Sequence, residues 1–166
     1  MQGLITAFRT LTILPVPGRE SEDFAASLPW FPVTGLTLGA LLALAGGLWV
    51  RYPGTWFEGA ACLLLAASIM LTRGLHLDGL ADWADAMGGR PEKEVRLNIL
   101  KDSRLGAFGG LALGVVLLAK WAALARLLAL GAIGSIVPVL IVSRAMMAEL
   151  TSTLPYARSG PGTAGP

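Results

Sequence analysis

The stretch Val33-Thr34-Gly35-Leu36-Thr37-Leu38-Gly39-Ala40-Leu41-Leu42-Ala43-Leu44-Ala45-Gly46-Gly47-Leu48-Trp49-Val50 holds no charged residue over 18 positions. As an α-helix, at about 1.5 Å per residue, it reaches roughly 27 Å, close to the ~30 Å hydrocarbon thickness of a bilayer. Trp30 and Phe31 precede it and Tyr52 and Trp56 follow it, aromatic residues of the kind that settle at membrane interfaces. The stretch predicts a membrane span over 33–50.

The rest of the chain extends that pattern. Of its 166 residues 54% are hydrophobic and 14% charged, with a mean hydropathy of +0.65, so a water-soluble domain would lack the polar surface to cover its apolar runs. Residues 57–73 form a shorter run whose length also suits a re-entrant segment. Trp56 and Phe57 extend it on one side and Arg73 snorkels on the other, so it is expected to be the second span. Residues 105–125 are apolar apart from Lys120, and 127–143 carry no charge. A hairpin turning near Lys120 to Arg126 makes these the third and fourth spans, the last kinked at Pro138. Near the amino terminus Leu4, Ala7, Phe8, Leu11 and Leu14 recur at helical spacing and predict a surface amphipathic helix ended by Pro15 and Pro17. The expected fold is all-α: a polytopic membrane helix bundle, one domain over 1–158, with a disordered Gly- and Pro-rich tail over 159–166.

Charge adds topology. The formal net charge is +2 and no basic block is interleaved with aromatics, which excludes nucleic acid as a partner. With the amino terminus inside, ten basic residues face the cytoplasm and only Arg51, Lys120 and Arg126 face outward, so a multi-pass protein of the cell inner membrane is expected, with residues 73–104 cytoplasmic. The first residues show no basic n-region, so no removable signal peptide is expected. Cys62 reads as a small core residue, and Gly35, Gly39, Gly46, Gly47, Gly106, Gly109, Gly110 and Gly114 as positions of close helix approach.

Chemistry concentrates in 73–104, which holds six of the 11 acidic residues, six of the 13 basic ones and the single histidine. Asp78, Asp82 and Asp85 stand at i, i+4 and i+7, one stripe of a helix. Their repulsion costs only about 0.2 to 0.5 kcal/mol per pair in water, but beside a membrane a bound cation relieves it. An all-oxygen ligand set selects a hard ion, Mg²⁺ or Mn²⁺. A solvated acidic face partnered by Arg73 and Arg90 explains the spacing equally well. Downstream, Lys101-Asp102-Ser103-Arg104 leads into the glycine-bearing start of the next span at Gly106, a combination suited to phosphate oxygens. Taken alone, that cluster also reads as a basic anchor at the interface. His76 falls roughly opposite the aspartate stripe and reads as a general base, a substrate hydrogen-bond partner or a structural residue.

The string His76-Leu77-Asp78-Gly79-Leu80-Ala81-Asp82, running on through Asp85 and Gly88 to Lys101-Asp102-Ser103-Arg104-Leu105-Gly106, closely resembles the cobalamin synthase (adenosylcobinamide-GDP ribazoletransferase) family. Similarity extends to Pro29-Trp30-Phe31-Pro32, Arg144-Ala145-Met146 and Pro155-Tyr156-Ala157-Arg158, while Trp83 and Ala86 depart from the pattern. The resemblance implies a Mg²⁺-dependent phosphotransferase that joins α-ribazole to GDP-activated adenosylcobinamide and releases GMP, late in cobalamin biosynthesis. It implies metal ligands at Asp78, Asp82, Asp85 and Asp102, and catalytic roles for Asp82, Asp102 and His76. Substrate contacts fall to Arg73, Lys101, Ser103, Arg104, Gly106 and Arg144. The implied partners are the corrinoid and α-ribazole substrates and the lipid bilayer, with a homo-oligomer left open. Family members continue through further helices, so the resemblance also implies a chain short at its carboxyl end. Two rival readings fit the residues less well. A CDP-alcohol-type phosphotransferase has Ala-Arg after Asp-Gly, where this chain has Ala81-Asp82, and a divalent-cation transporter needs mid-span acids that are missing here.

Overall fold

The computed structural model describes residues 1–51, 56–89, 92–100, 102 and 104–154, so the tail expected to be disordered lies outside the described residues. The amphipathic helix α1 (Gln2–Leu11) leads through a proline-containing segment and a 3₁₀ stretch (Phe24–Trp30) into α2 (Phe31–Arg51). There follow α3 (Phe57–Leu71), α4 (Leu75–Met87), α5 (Lys93–Ile99) and α6 (Ala107–Ala129). A 3₁₀ turn (Ile133–Ser135) then opens α7 (Ile136–Thr153). Phe24–Arg51, Ala107–Ala129 and Ile133–Thr153 are each long and apolar enough to cross a membrane, while α3 and α4 make a broken pair bent by 87°. The chain is thus an all-α membrane helix bundle, as its hydropathy predicts.

Helix α2 lies along α7 and against α3, and both α3 and α4 pack on α6. Lipid chains are as apolar as leucine, so helices in a bilayer associate where small residues let backbones come close. At Gly35 a Cβ would strike the α7 backbone at Leu140, and at Gly39 it would come within 2.8 Å of Val137 Cα. Leu42, Ala60, Ala61, Leu64, Leu124, Leu128 and Ile133 fill the junction of α2, α3, α6 and the second 3₁₀ turn. The outside is apolar too: Leu111 and Val115 are each 68% exposed, a surface matched to lipid and not to water. Onto that open surface, not into helix contacts, fall Gly47, Gly110 and Gly114, and Cys62 is exposed where a core position was expected.

At one end α1 buries Ile5, Thr6, Ala7 and Leu11. Ala7 and Leu11 pack with Phe31, and Gly3 fits closely against the Ala26 carbonyl. Arg9 ties down the following loop, donating to the carbonyls of Val16 and Gly18 and pairing with Glu20 at 3.0 Å.

Two expected span boundaries move. The turn expected near Lys120 to Arg126 lies instead at Leu130 to Ala132. There Gly131 adopts φ 65°, the Gly131 N–H donates to Leu128 O at 3.0 Å and the Ala132 N–H to Leu127 O at 2.8 Å. A left-handed glycine closing a helix in this double bond pattern is a stronger stop than a lone lysine, whose long side chain a helix tolerates. Lys120 therefore sits inside α6. Likewise residues 57–73 are not one straight span. Helix α3 has 15 residues, roughly 22 Å, short of the ~30 Å needed. It ends in the same kind of cap, with Gly74 N–H donating to Ile69 O at 2.9 Å and Arg73 N–H to Met70 O at 3.2 Å. Arg73 (φ 53°) and Gly74 (φ 68°) are both left-handed, and α4 leaves nearly at right angles.

One bridge joins α4 to α6. The cap residue of α6, Gly106, has no side chain to satisfy the first N–H groups of that helix. Asp85 supplies the acceptor from α4: Gly106 N–H donates to Asp85 Oδ2 and Gly109 N–H to Asp85 Oδ1, both at 2.8 Å. The carboxylate also meets the positive end of the helix dipole. A Cβ on either glycine would collide with that carboxylate.

Gly106→Ala and Gly109→Ala are accordingly expected to destabilise the detergent-solubilised protein by about 1 to 2 kcal/mol. Gly110→Ala, which meets open space, should leave the thermal unfolding midpoint unchanged; an equal response at all three positions would refute the cap. Arg73→Gly should keep the α3–α4 break and raise stability by up to about 1 kcal/mol, because glycine adopts a positive φ without a Cβ clash. A lowered midpoint would show that the guanidinium contributes more than the backbone gains.

Candidate active site

Asp78, Asp82 and Asp85 occupy α4 as the spacing predicts, but the structure gives them different tasks. Asp85 caps α6, each of its oxygens accepting one backbone N–H. The helix that recruits it begins 21 residues downstream, beyond the reach of any local spacing rule. Asp78 is exposed and Asp82 half-buried, and neither makes a hydrogen bond or ion pair among the described residues. Asp82 carries unrelieved electrostatic cost: desolvation, then the neighbouring charges of Asp78 and Asp85, push its carboxyl above the ordinary range. Asp78 faces a groove of about 700 Å³ that Arg73 also lines, with Thr10, Thr72 and Leu105. Acid and guanidinium thus share one surface.

Asp102 and Arg104 pair with each other. Arg104 Nη2 donates to Asp102 Oδ2 at 2.6 Å and Nε to both oxygens at 3.0 Å. Those bonds hold the Asp102 carboxyl down at about 2. Asp102 and Arg104 share a pocket with Asp85 of α4, Ile99 and Gly106. Lys101 and Ser103 lie outside the described residues. Gly106, expected to offer its N–H to a substrate phosphate, gives it to Asp85. Among the described residues no group of three or more His, Cys, Asp or Glu side chains is placed to hold a metal, so the four expected ligands do not converge. What remains is the pair Asp78 and Asp82. That pair suits Mg²⁺, which commonly uses one or two carboxylates and completes its shell with water and substrate phosphate.

His76 and Arg144 point elsewhere. His76 Nε2 lies 3.1 Å from Met147 Sδ of α7, and both His76 and Arg144 line a cavity within the bundle, away from the aspartates. Lys120 lines the same cavity, a residue the sequence hid by resembling a loop charge. Its signal was there to be read, since a single cation inside an otherwise uncharged run marks function in a membrane helix.

Comparison with known proteins places this geometry. The chain matches the family model described as cobalamin-5-phosphate synthase over residues 3–165. It is 49% identical to the adenosylcobinamide-GDP ribazoletransferase of Chlorobium chlorochromatii, over 98% of this chain and 64% of that protein. It is 48% identical to the enzyme of the same name from Chlorobaculum parvum, over 99% of this chain and 64% of the relative. With that of Syntrophobacter fumaroxidans the identity is 39%, over 99% and 66%. The chain therefore spans about 64% of the length of the Chlorobium chlorochromatii and Chlorobaculum parvum relatives. No solved structure matches it. The aspartate helix, its glycine-capped anchor on α6 and the membrane bundle around them are those of a member of the cobalamin-5-phosphate synthase family.

Proposed function

We propose that this chain carries the phosphate-handling part of an adenosylcobinamide-GDP ribazoletransferase, transferring the adenosylcobinamide phosphoryl group to α-ribazole with release of GMP. One observation supports it above others: Asp78 and Asp82 stand one helical turn apart without a hydrogen-bond or ion-pair partner among the described residues, and Asp78 shares its groove with Arg73. The family and the relatives' names supply the substrate class. Residues 73–104 face the cytoplasm of the inner membrane in this reading, and Lys120, now inside a helix, no longer counts against the positive-inside bias.

In the reaction the α-ribazole hydroxyl oxygen forms a bond to the phosphorus next to cobinamide, the bridge between the two phosphorus atoms breaks, and GMP departs with the bridging oxygen. Asp78 and Asp82 would hold Mg²⁺, which supplies charge neutralisation for the phosphate oxygens. Arg73 grips the diphosphate. A free carboxylate oxygen of Asp82 would accept the hydroxyl proton. The Asp102–Arg104 pair keeps a guanidinium edge presented beside the start of α6. Neither the CDP-alcohol-type nor the transporter reading gains an observation in its favour.

GMP release from GDP-activated cobinamide and α-ribazole should be measured in a protein of the relatives' full length that carries this chain. Asp82→Asn is expected to lower the rate by about 100-fold or more, and Asp102→Asn by less than about tenfold. EDTA should abolish turnover. Normal release by Asp82→Asn, or turnover indifferent to EDTA, would overturn the assignment.

A further inference from the structure

Two cations face one cavity of the bundle, Arg144 buried and Lys120 largely exposed. Lys120 is 13 residues into α6 and Arg144 eight residues into α7, so each stands near the middle of its helix. Both line a cavity of about 120 Å³, together with His76, Ser68, Thr72 and Ser143, and no carboxylate lines it. Arg144 is only 6% exposed. Its Nη1 donates to Ser143 Oγ at 3.2 Å, while its buried Nε has no hydrogen-bond partner among the described residues. The ion pairs among the described residues, Arg9 with Glu20 and Arg104 with Asp102, involve neither cation. An uncompensated guanidinium with an orphaned donor is costly inside a membrane protein, and such groups persist where a counter-charge visits them.

We propose that this cavity is a binding site for one phosphate group, held by Arg144, Lys120, His76 and the Ser143 hydroxyl, and distinct from the Asp78–Asp82 pair. At about 30 Å³ per water the volume equals roughly four waters, room for a phosphate group. The rest of the bearer lies outside. The cavity shares Ile69, Thr72 and Leu77 with the groove that Asp78 and Arg73 line, so the two lie back to back across a common wall. A phosphate monoester in the groove and an anionic lipid headgroup entering between helices present the same chemistry. The site deepens the transferase reading, but it is tested without Mg²⁺ or substrate and so stands or falls separately.

The test titrates inorganic phosphate into the purified chain in EDTA, with binding read by calorimetry and by the thermal unfolding midpoint. Wild type and Asp82→Asn should bind alike, whereas Lys120→Met and Arg144→Gln should bind at least about tenfold more weakly, the loss expected for a charge-assisted contact. Should Arg144→Gln fail to fold, Lys120→Met decides, since Lys120 is exposed along much of its length. Repeating the titration in phosphatidylcholine nanodiscs with and without phosphatidic acid separates the sources. Competition by phosphatidic acid assigns the cavity to a headgroup, and an unchanged titration assigns it to a soluble phosphate ester. Absence of phosphate binding by wild type, or equal binding by Lys120→Met, overturns the site.

Discussion

Asp85 gives both carboxylate oxygens to the opening N–H groups of α6, and the placement of α4 depends on that bridge. Without it, α4 would join the bundle only through its bent junction with α3 and through side-chain packing, and its acidic face would have no fixed relation to the start of α6. A buried or half-buried carboxylate is normally a liability beside lipid. Here two backbone donors and the positive end of a helix offset its desolvation. The glycines at 106 and 109 follow from the same contact, since any side chain there would occupy the space of the carboxylate.

With α4 pinned, its two sides meet opposite charges. The exposed acidic side, Asp78 and Asp82, carries negative charge that nothing in the described protein neutralises. On the other side, His76 looks into the bundle toward α7, where Lys120 and Arg144 carry positive charge that is equally unanswered. Opposite unmet charges on the two sides of a thin wall, formed by Ile69, Thr72 and Leu77, make a surface suited to a substrate bearing phosphate and its divalent counter-ion. The bundle supplies the low-dielectric surroundings in which those charges act strongly.

Much of this architecture is legible in the sequence. The uncharged run over 33–50 announces α2, whose observed bounds, Phe31–Arg51, extend it by a few residues at the aromatic end. The aspartate register on α4 and the family likeness are equally plain from His76 to Asp85. Other features are hidden for physical reasons. The α3–α4 break turns on Arg73 adopting a left-handed backbone that sequence rules reserve for glycine, so the stop is read two residues late. Asp85 is indistinguishable from its two neighbours along the stripe because its partners lie 21 and 24 residues on. Hydropathy treats a charge as a boundary, and so Lys120 marks a turn in the sequence while the helix continues nine residues past it to Ala129.

The division of labour along α4 is the central claim, and Mn²⁺ binding followed by electron paramagnetic resonance tests it most directly. Asp78→Asn and Asp82→Asn are predicted to weaken Mn²⁺ binding by about tenfold or more while leaving the melting temperature near that of wild type. Asp85→Asn should show the reverse, an affinity within about threefold of wild type and a lower melting temperature, because it removes a cap and not a ligand. Loss of Mn²⁺ binding in Asp85→Asn at an unchanged melting temperature would contradict the account.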